Sequence, residues 1–312
     1  MKFVLPFKKL NKKSVSIAGG KGAQLGEMFN SKIPVPNGFV VLVDSFNLFI
    51  KENNLDPFIQ GELKKVNPKK TVSVNKASEN IRKKISEGKI PKEIEKAIEK
   101  EFSVLKAEYV AVRSSATAED AKDASWAGEL ESYTHIQKKG LIQAVKKCWS
   151  SLFTPRAIFY RIEKKLTKTK VSVAVVVQKM VESETAGVAF TVNPITKNSN
   201  EIIIEAAFGL GESVVSGAVT PDKYIVNKKE MFIENIEVNE QKEFLALKAG
   251  KTQKLKVKNS EKENQKLTGQ QIMLLAELCK KIESHYKFPQ DIEFGLEKDK
   301  IFILQTRPIT TL

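Results

Sequence analysis

Apolar residues recur along this chain with two different periods, which separates helices from strands. Spacings of three and four predict amphipathic helices over residues 81–105 and 141–165, with a break near Pro155 in the second stretch. Trp149 falls on the apolar face, so we assign it to the core. Thr268 and Gln271 have the spacing of a capping box, which predicts a helix start at that point.

Other segments are apolar without helical spacing and rich in β-branched residues, which is typical of buried strands. The clearest is 171–181, and shorter ones cover 186–194 and 201–205. Residues 110–112 resemble the end of another strand, before small and polar residues take over at Arg113. Helices mixed with such strands predict an α+β fold.

Arg113 opens a stretch of small residues that includes Ser114, Ser115 and Gly128. The guanidinium group presents a planar fork of donors that matches phosphate oxygens, and small neighbours let the backbone approach a ligand. We interpret this stretch as a phosphate-facing loop. A structural ion pair between Arg113 and Glu119 or Asp120 is the alternative.

Lys21 lies in a second glycine-rich stretch, A-G-G-K-G-A-Q-L-G-E, at the predicted start of a helix. Free backbone N–H groups and the helix dipole make such a position favourable for anions. The stretch is not a Walker A loop, because Gly22 and Ala23 follow the lysine where Ser or Thr would hold magnesium. An ordinary surface turn is the alternative for Lys21 taken alone.

The C-terminal stretch 289–308 predicts two strands joined by a tight loop. Alternation places Asp291 and Glu293 on one face of the first strand, and Gln305 and Arg307 on one face of the second. A three-residue loop, 298–300, would set Glu293 opposite Gln305 and Asp291 opposite Arg307.

A carboxylate and an amide oxygen in that register form an oxygen-only environment suited to Mg²⁺ shared with phosphates. Glu293 and Gln305 are therefore the candidate metal ligands. A cross-strand salt bridge beside a hydrogen-bonded glutamine is the alternative interpretation of these residues.

Length and composition set limits on these interpretations. A chain of 312 residues is long enough for two lobes. The net charge of +15 comes from lysines scattered over nearly every segment with few aromatics between them, which argues against nucleic-acid binding. No apolar run approaches the length of a membrane span, so we expect no membrane partner and a cytosolic location. Cys148 and Cys279 are far apart in helical sequence, which predicts buried thiols.

Taken together, these blocks resemble the N-terminal ATP-binding domain of the phosphoenolpyruvate synthase and pyruvate phosphate dikinase family. The resemblance covers nearly the whole chain. It rests on the ordered series G-G-K-G-A-Q-L-G-E, I-P-V-P-N-G-F, A-V-R-S-S-A-T-A-E-D, S-W-A-G-E-L-E-S, A-G-V-A-F-T-V-N-P, G-L-G-E, V-T-P-D-K-Y, D-I-E-F-G and I-L-Q-T-R-P-I-T.

The resemblance implies an ATP-grasp-type fold in which two α+β lobes, here 1–177 and 178–312, clamp ATP between sheets. By position in the motifs, it makes Lys21, Arg113 and Arg307 the catalytic cations on the phosphates. It also places Gln178 at the hinge beside the adenine, and gathers Glu293, Gln305 and Arg307 around the metal and phosphates. The turn from Gly128 to Ser132 would fold over the nucleotide.

In the family, Mg-ATP yields AMP while a phosphoryl group passes to a histidine on a separate domain, and then to pyruvate. Neither His135 nor His285 lies in a phosphohistidine motif, and the sequence ends two residues after Thr310, where the family continues into that domain. We therefore expect the phosphohistidine and pyruvate-binding domains to come from another chain or another part of the protein. A rifampin phosphotransferase-type acceptor and a non-catalytic ATP-binding regulatory module are the alternatives.

Overall fold

Two antiparallel β-sheets organise the chain into two compact units. The computed structural model describes residues 2–117, 131–163 and 172–310, with the backbone of 120–121 and 124–125. The first unit contains Met1–Asn30 and Asn37–Met180, and the second contains Ser31–Pro36 and Val181–Leu312. The sequence had not indicated that 31–36 would group with the C-terminal residues. Within the second unit, Pro34 O accepts a hydrogen bond of 2.8 Å from Ile303 N.

The first unit combines a five-stranded sheet with seven α-helices among the described residues. The strand order in the sheet is β1-β2-β7-β3-β6. The strands are β1 (Val4–Pro6), β2 (Gly38–Val41), β3 (Val110–Ala116), β6 (Ser132–Ile136) and β7 (Val173–Lys179), and the two-residue strands β4 (Asp120–Ala121) and β5 (Ala124–Ser125) pair with each other. The helices are α1 (Val15–Asn30), α2 (Val43–Glu52), α3 (Leu55–Lys64), α4 (Thr71–Glu87), α5 (Lys92–Leu105), α6 (Lys138–Ser150) and α7 (Pro155–Glu163).

The centre of this sheet is β7, whose valines are fully buried on both faces. Such a continuous β-branched run is stable only as a central strand, because both faces must be covered. Trp149 of α6 is completely buried and packs against Phe46 and Phe49, which confirms its assignment to the core. Cys148 is buried in α6 and Cys279 in the second unit, and burial raises the pKa of each thiol to about 12.

The predicted break after Val112 is wrong, because β3 continues through Arg113 to Ala116. Its ladder with β7 remains in register from Val110 opposite Lys179 to Ala116 opposite Val173. Ser114, Ser115 and Ala116 therefore belong to a strand and not to a loop, whereas Gly128 lies outside the described residues. Their size is still required, since packed elements cover both faces of β3 and leave no room for larger side chains.

The second unit is built on a six-stranded antiparallel sheet with the order β11-β10-β9-β8-β14-β15. Its strands are β8 (Thr185–Phe190), β9 (Glu201–Phe208), β10 (Asp222–Asn227), β11 (Phe232–Glu237), β14 (Gln290–Glu297) and β15 (Lys300–Pro308). A separate hairpin consists of β12 (Glu243–Lys248) and β13 (Lys251–Lys256). The helices are the short α8 (Glu212–Val215) and the long α9 (Gly269–Tyr286), and α9 begins at the predicted capping box of Thr268 and Gln271.

A buried ion pair holds the second unit together. The ammonium group of Lys266 lies 2.9 Å from Oδ1 of Asp222, and both side chains are completely buried. Tyr224 donates to Oδ2 of Asp222 at 2.8 Å, and the backbone N–H groups of Lys266 and Asn239 donate to the same carboxylate at 2.9 Å. Burial, followed by the hydrogen bond to Asp222, raises the pKa of Tyr224 above its usual range. Asp222 lies in the V-T-P-D-K-Y block and joins β10 to the segment that precedes α9.

We predict that Asp222→Ala lowers the free energy of unfolding by about 3–5 kcal/mol, because it leaves the Lys266 ammonium group buried without a counter-charge. Denaturant titration followed by circular dichroism measures the change. The control is Glu230→Ala, which removes the exposed partner of Lys229 at 3.8 Å. That variant should change stability by less than about 0.5 kcal/mol. Equal effects of the two substitutions would contradict the role assigned to the buried pair.

Candidate functional site

Lys21 lies at the start of a helix, as predicted, but the start is set by a kink inside α1. Gly19 has φ +69° and ψ 174°, so the regular helix begins after it. Counting Gly19 as the N-cap, Lys21 is the second helical residue. Its ammonium group therefore lies near the positive end of the helix dipole, where anions are favoured.

Gly19 also marks a close approach to β3. A Cβ added at this position would lie 2.2 Å from the carbonyl oxygen of Ser115. Both the positive φ and the lack of space require glycine here. The hydroxyl of Ser115 donates to Ala18 O at 2.9 Å and accepts from Gly22 N at 3.1 Å. The glycine-rich stretch around Lys21 is thus attached directly to the strand that carries Arg113.

Arg113 lies on the same face of the sheet as Ser115, because residues two apart on a strand share a face. That face is the one covered by α1, as the contacts of Ser115 show. Arg113 is opposite Val176 of β7 and opposite Ser132 of β6. The structure therefore places Arg113 and Ser132 at facing positions of neighbouring strands, on the sheet face that the Lys21 segment covers. The alternative partner Glu119, the side chain of Asp120, and Gly128 all lie outside the described residues.

Gln178 is opposite Ala111 in the β3–β7 ladder, so its side chain shares the face of Arg113. It lies in β7 of the first unit, although the sequence interpretation assigned it to the second lobe. Its side chain is 2% exposed, and Nε2 has no hydrogen-bond partner among the described residues. A buried amide donor without an acceptor is costly, which makes this a position where a ligand acceptor would be stabilising.

In the second unit, the predicted register of the C-terminal hairpin is confirmed. Glu293 is opposite Gln305, and Asp291 is opposite Arg307. The predicted three-residue loop is wrong. The turn has two residues, Lys298 and Asp299, both with positive φ, and Glu297 pairs with Lys300.

A bulge in β15 compensates for the turn being one residue shorter than predicted. The pairing shifts between Glu293 and Phe294, so that Leu304 is the extra residue on β15. Two-residue turns with positive φ match the twist of a hairpin, and a bulge then changes which side chains face each other. The sequence pattern identified the facing pairs, but the extra residue lies beside the site and not in the turn.

Gln305 has the property expected of a metal ligand. Its side chain is 6% exposed, and Oε1 has no hydrogen-bond partner within the described part of the chain. The Glu293 carboxylate lies on the facing position of β14. Carboxylate and amide oxygens are ligands that Mg²⁺ accepts, so this pair fits the cation. The alternative of a fully hydrogen-bonded glutamine does not agree with the unpaired Oε1.

Arg307 forms the predicted pair with Asp291. Its Nε and Nη2 each lie 2.7 Å from Oδ2 of Asp291, and the Arg307 side chain remains 47% exposed. Burial raises the pKa of Asp291, the guanidinium group of Arg307 opposes this effect, and the charge of Glu293 adds to it. The Asp291 and Glu293 carboxylates therefore lie close enough to interact electrostatically.

The search for known relatives assigns the chain to a family. Residues 15–312 match the family model of the pyruvate phosphate dikinase AMP/ATP-binding domain, and the chain belongs to this family. It has the mixed helices and antiparallel sheets of that ATP-grasp-like domain.

Several named proteins are similar to this chain over 99% or more of its length. It is 46% identical to the probable phosphoenolpyruvate synthase of Methanocaldococcus jannaschii, over 100% of the chain and 27% of the relative. It is 39% identical to the phosphoenolpyruvate synthase of Pyrococcus furiosus, over 100% of the chain and 44% of the relative. The rifampicin phosphotransferase of Bacillus cereus is 39% identical, over 99% of the chain and 36% of the relative. The chain thus spans less than half the length of these relatives.

The sequence interpretation missed the bonding role of Ser115, which it noted only for its small size. Two signals were available. Ser115 is two residues from Arg113 and therefore on the same face of a strand, and Gly19 has no side chain with which to cap its own helix.

We predict that Gly19→Ala disrupts the attachment of the Lys21 segment to β3, because the added Cβ would collide with Ser115 O. The free energy of unfolding should fall by more than about 2 kcal/mol, as for other strained glycine positions. The matched control is Gly61→Ala in α3, where an added Cβ meets no atom within 4 Å. This control should stabilise the protein by up to about 1 kcal/mol through helix propensity. Thermal unfolding of both variants checks the prediction, and a loss confined to Gly61→Ala would contradict it.

Proposed function

We propose that this chain binds Mg-ATP and donates a phosphoryl group to a histidine on another domain or chain, as part of a phosphoenolpyruvate synthase-like enzyme. Pyruvate would be the final acceptor. The observation that carries the proposal is the buried, unpaired Oε1 of Gln305 facing the Glu293 carboxylate. Membership of an AMP/ATP-binding family supports ATP as the bound nucleotide.

Each residue has a role in this proposal. Glu293 and Gln305 hold Mg²⁺, which would neutralise part of the triphosphate charge. Lys21, Arg113 and Arg307 contact phosphate oxygens and stabilise the charge of the transition state. Gln178, Gly128 and Ser132 bind the nucleotide. The two units correspond in this proposal to the two ATP-grasp lobes.

In the proposed transfer, release of AMP requires cleavage of the bond between the α- and β-phosphates. One of the two phosphoryl groups is retained on the imidazole nitrogen of the acceptor histidine, and the other leaves as inorganic phosphate after attack by water. Such a reaction requires positioning and electrostatic stabilisation more than covalent participation by the ATP-binding domain. This agrees with a candidate site made of cations, amides and carboxylates.

Two other functions are consistent with parts of the sequence. The 39% identity to a rifampicin phosphotransferase favours a second candidate, in which the same ATP chemistry serves a different final acceptor. A regulatory module that binds ATP without catalysis is the third. The unpaired Gln305 Oε1 speaks against it, because a metal-binding carboxylate and amide are not needed for simple nucleotide sensing.

Calorimetric titration with ATP tests the metal site. We predict that Glu293→Gln and Gln305→Ala each weaken Mg-ATP binding by about tenfold or more, since each removes one metal ligand. Both variants should bind metal-free ATP as the unmodified chain does. The matched control is Glu277→Gln on the exposed surface of α9, which should change neither titration. Equal binding of Mg-ATP by all variants would count against a metal site at these residues.

The transfer itself can be tested with a separately produced phosphohistidine domain from a phosphoenolpyruvate synthase. With Mg²⁺ and ATP labelled on the β-phosphate, we predict AMP release and label on that domain's histidine. Arg113→Ala should abolish both, because it removes a cation from the transferred group. Binding of ATP without AMP formation or labelling would favour the regulatory module.

A further inference from the structure

We infer that Ser115 is a positioning residue that fixes the Lys21 segment relative to Arg113, so that both side chains can contact the phosphates of one nucleotide. This inference rests on the proposed function of Lys21 and Arg113 as phosphate ligands. It adds a residue that makes no contact with the nucleotide in that proposal.

The Ser115 hydroxyl replaces a missing cap at the start of the regular part of α1. With Gly19 as N-cap, Gly22 occupies the third helical position, whose N–H usually bonds to the side chain of the N-cap residue. Gly19 has no side chain, and Ser115 Oγ accepts from Gly22 N at 3.1 Å instead. A residue 93 positions away in sequence therefore caps the helix that carries Lys21.

The connection between Ser115 and the Lys21 segment is short and specific. The Ser115 hydroxyl uses its proton on Ala18 O at 2.9 Å, so a single side chain bonds on both sides of Gly19. Ser115 is completely buried, and Gly19 is too close to Ser115 to carry a Cβ. Buried hydrogen bonds of this kind fix a geometry more firmly than exposed ones, because water cannot replace the lost partner.

Ser114 allows a direct comparison with Ser115. It is also buried and is adjacent to Arg113, but it points to the opposite face of β3. Its hydroxyl lies 2.9 Å from Glu131 O and 3.0 Å from Ser151 Oγ, and so joins β3 to the residue before β6 and to the residue after α6. Ser114 therefore fixes the scaffold around the strand, whereas Ser115 fixes the Lys21 segment.

The experiment compares Ser115→Ala with Ser114→Ala in the full chain. Calorimetry measures the affinity of each variant for Mg-ATP and, by competition, for adenosine, which lacks phosphates. Loss of the Ser115 hydroxyl should weaken Mg-ATP binding by about five- to tenfold and adenosine binding by less than about twofold. Ser114→Ala should lower the unfolding temperature but leave the ratio of the two affinities within about twofold of the original.

Two outcomes would overturn the inference. One is an unchanged ratio of the Mg-ATP and adenosine affinities in Ser115→Ala, and the other is an equal change of that ratio in Ser114→Ala. If Ser115→Ala does not fold at the assay temperature, Ser115→Cys provides the same comparison, since its thiol keeps a weaker donor and acceptor in place. That variant should then show an intermediate loss, and an unchanged ratio would again overturn the inference. Failure of the unmodified chain to bind Mg-ATP would instead refute the proposed function, and this inference with it.

Discussion

The alternation of side chains along β3 is the constraint on which the first half of the candidate site depends. Successive residues of a strand point to opposite faces, so Arg113 and Ser115 share the face covered by α1 while Ser114 lies on the other face. Because β3 is paired on both sides, with β6 and with β7, its backbone has little freedom to adjust. The direction of each of these three side chains is therefore fixed by the sheet and not by the ligand.

The corresponding constraint in the second unit is the bulge at Leu304. A regular continuation of the two-residue turn would pair Glu293 with Leu304 and place Gln305 on the opposite face of the sheet. The extra residue restores the pairing of Glu293 with Gln305 and of Asp291 with Arg307. Bulges often redirect side chains beside active sites, and this one determines which oxygen atoms face each other.

The sequence predicted much of the fold, and its failures have identifiable causes. The helices split at Pro155, the valine-rich strand β7 and the capping box at Thr268 followed from local pattern, because local physics determines them. The end of β3 did not, since the run of small polar residues has low strand propensity. Pairing with β7 outweighs that propensity, as tertiary context often does.

The candidate site was predictable to a similar extent. The facing pairs of the hairpin followed from alternation, whereas the bulge depends on how β15 fits against its neighbours and has no clear signal in the sequence. The contact between Gly19 and Ser115 joins segments almost a hundred residues apart. Such contacts are set by the packing of helix on sheet, which a single sequence does not display.

The two histidines of the chain bear on where a transferred phosphoryl group could go. His135 is 5% exposed, has φ +53° at the irregular part of β6, and packs edge-on against Tyr109. A phosphorylated imidazole there would bury two negative charges, which is costly unless cations surround it. His285 lies in the last turn of α9 against the ring of Tyr286, in a helical position and not in a mobile segment.

Both histidines thus lie in regular secondary structure, and His135 is buried. In the proposed function, the acceptor histidine therefore belongs to another domain or chain. The candidate site consists of cations, amides and carboxylates, and in the proposed function these groups position and polarise a phosphate chain.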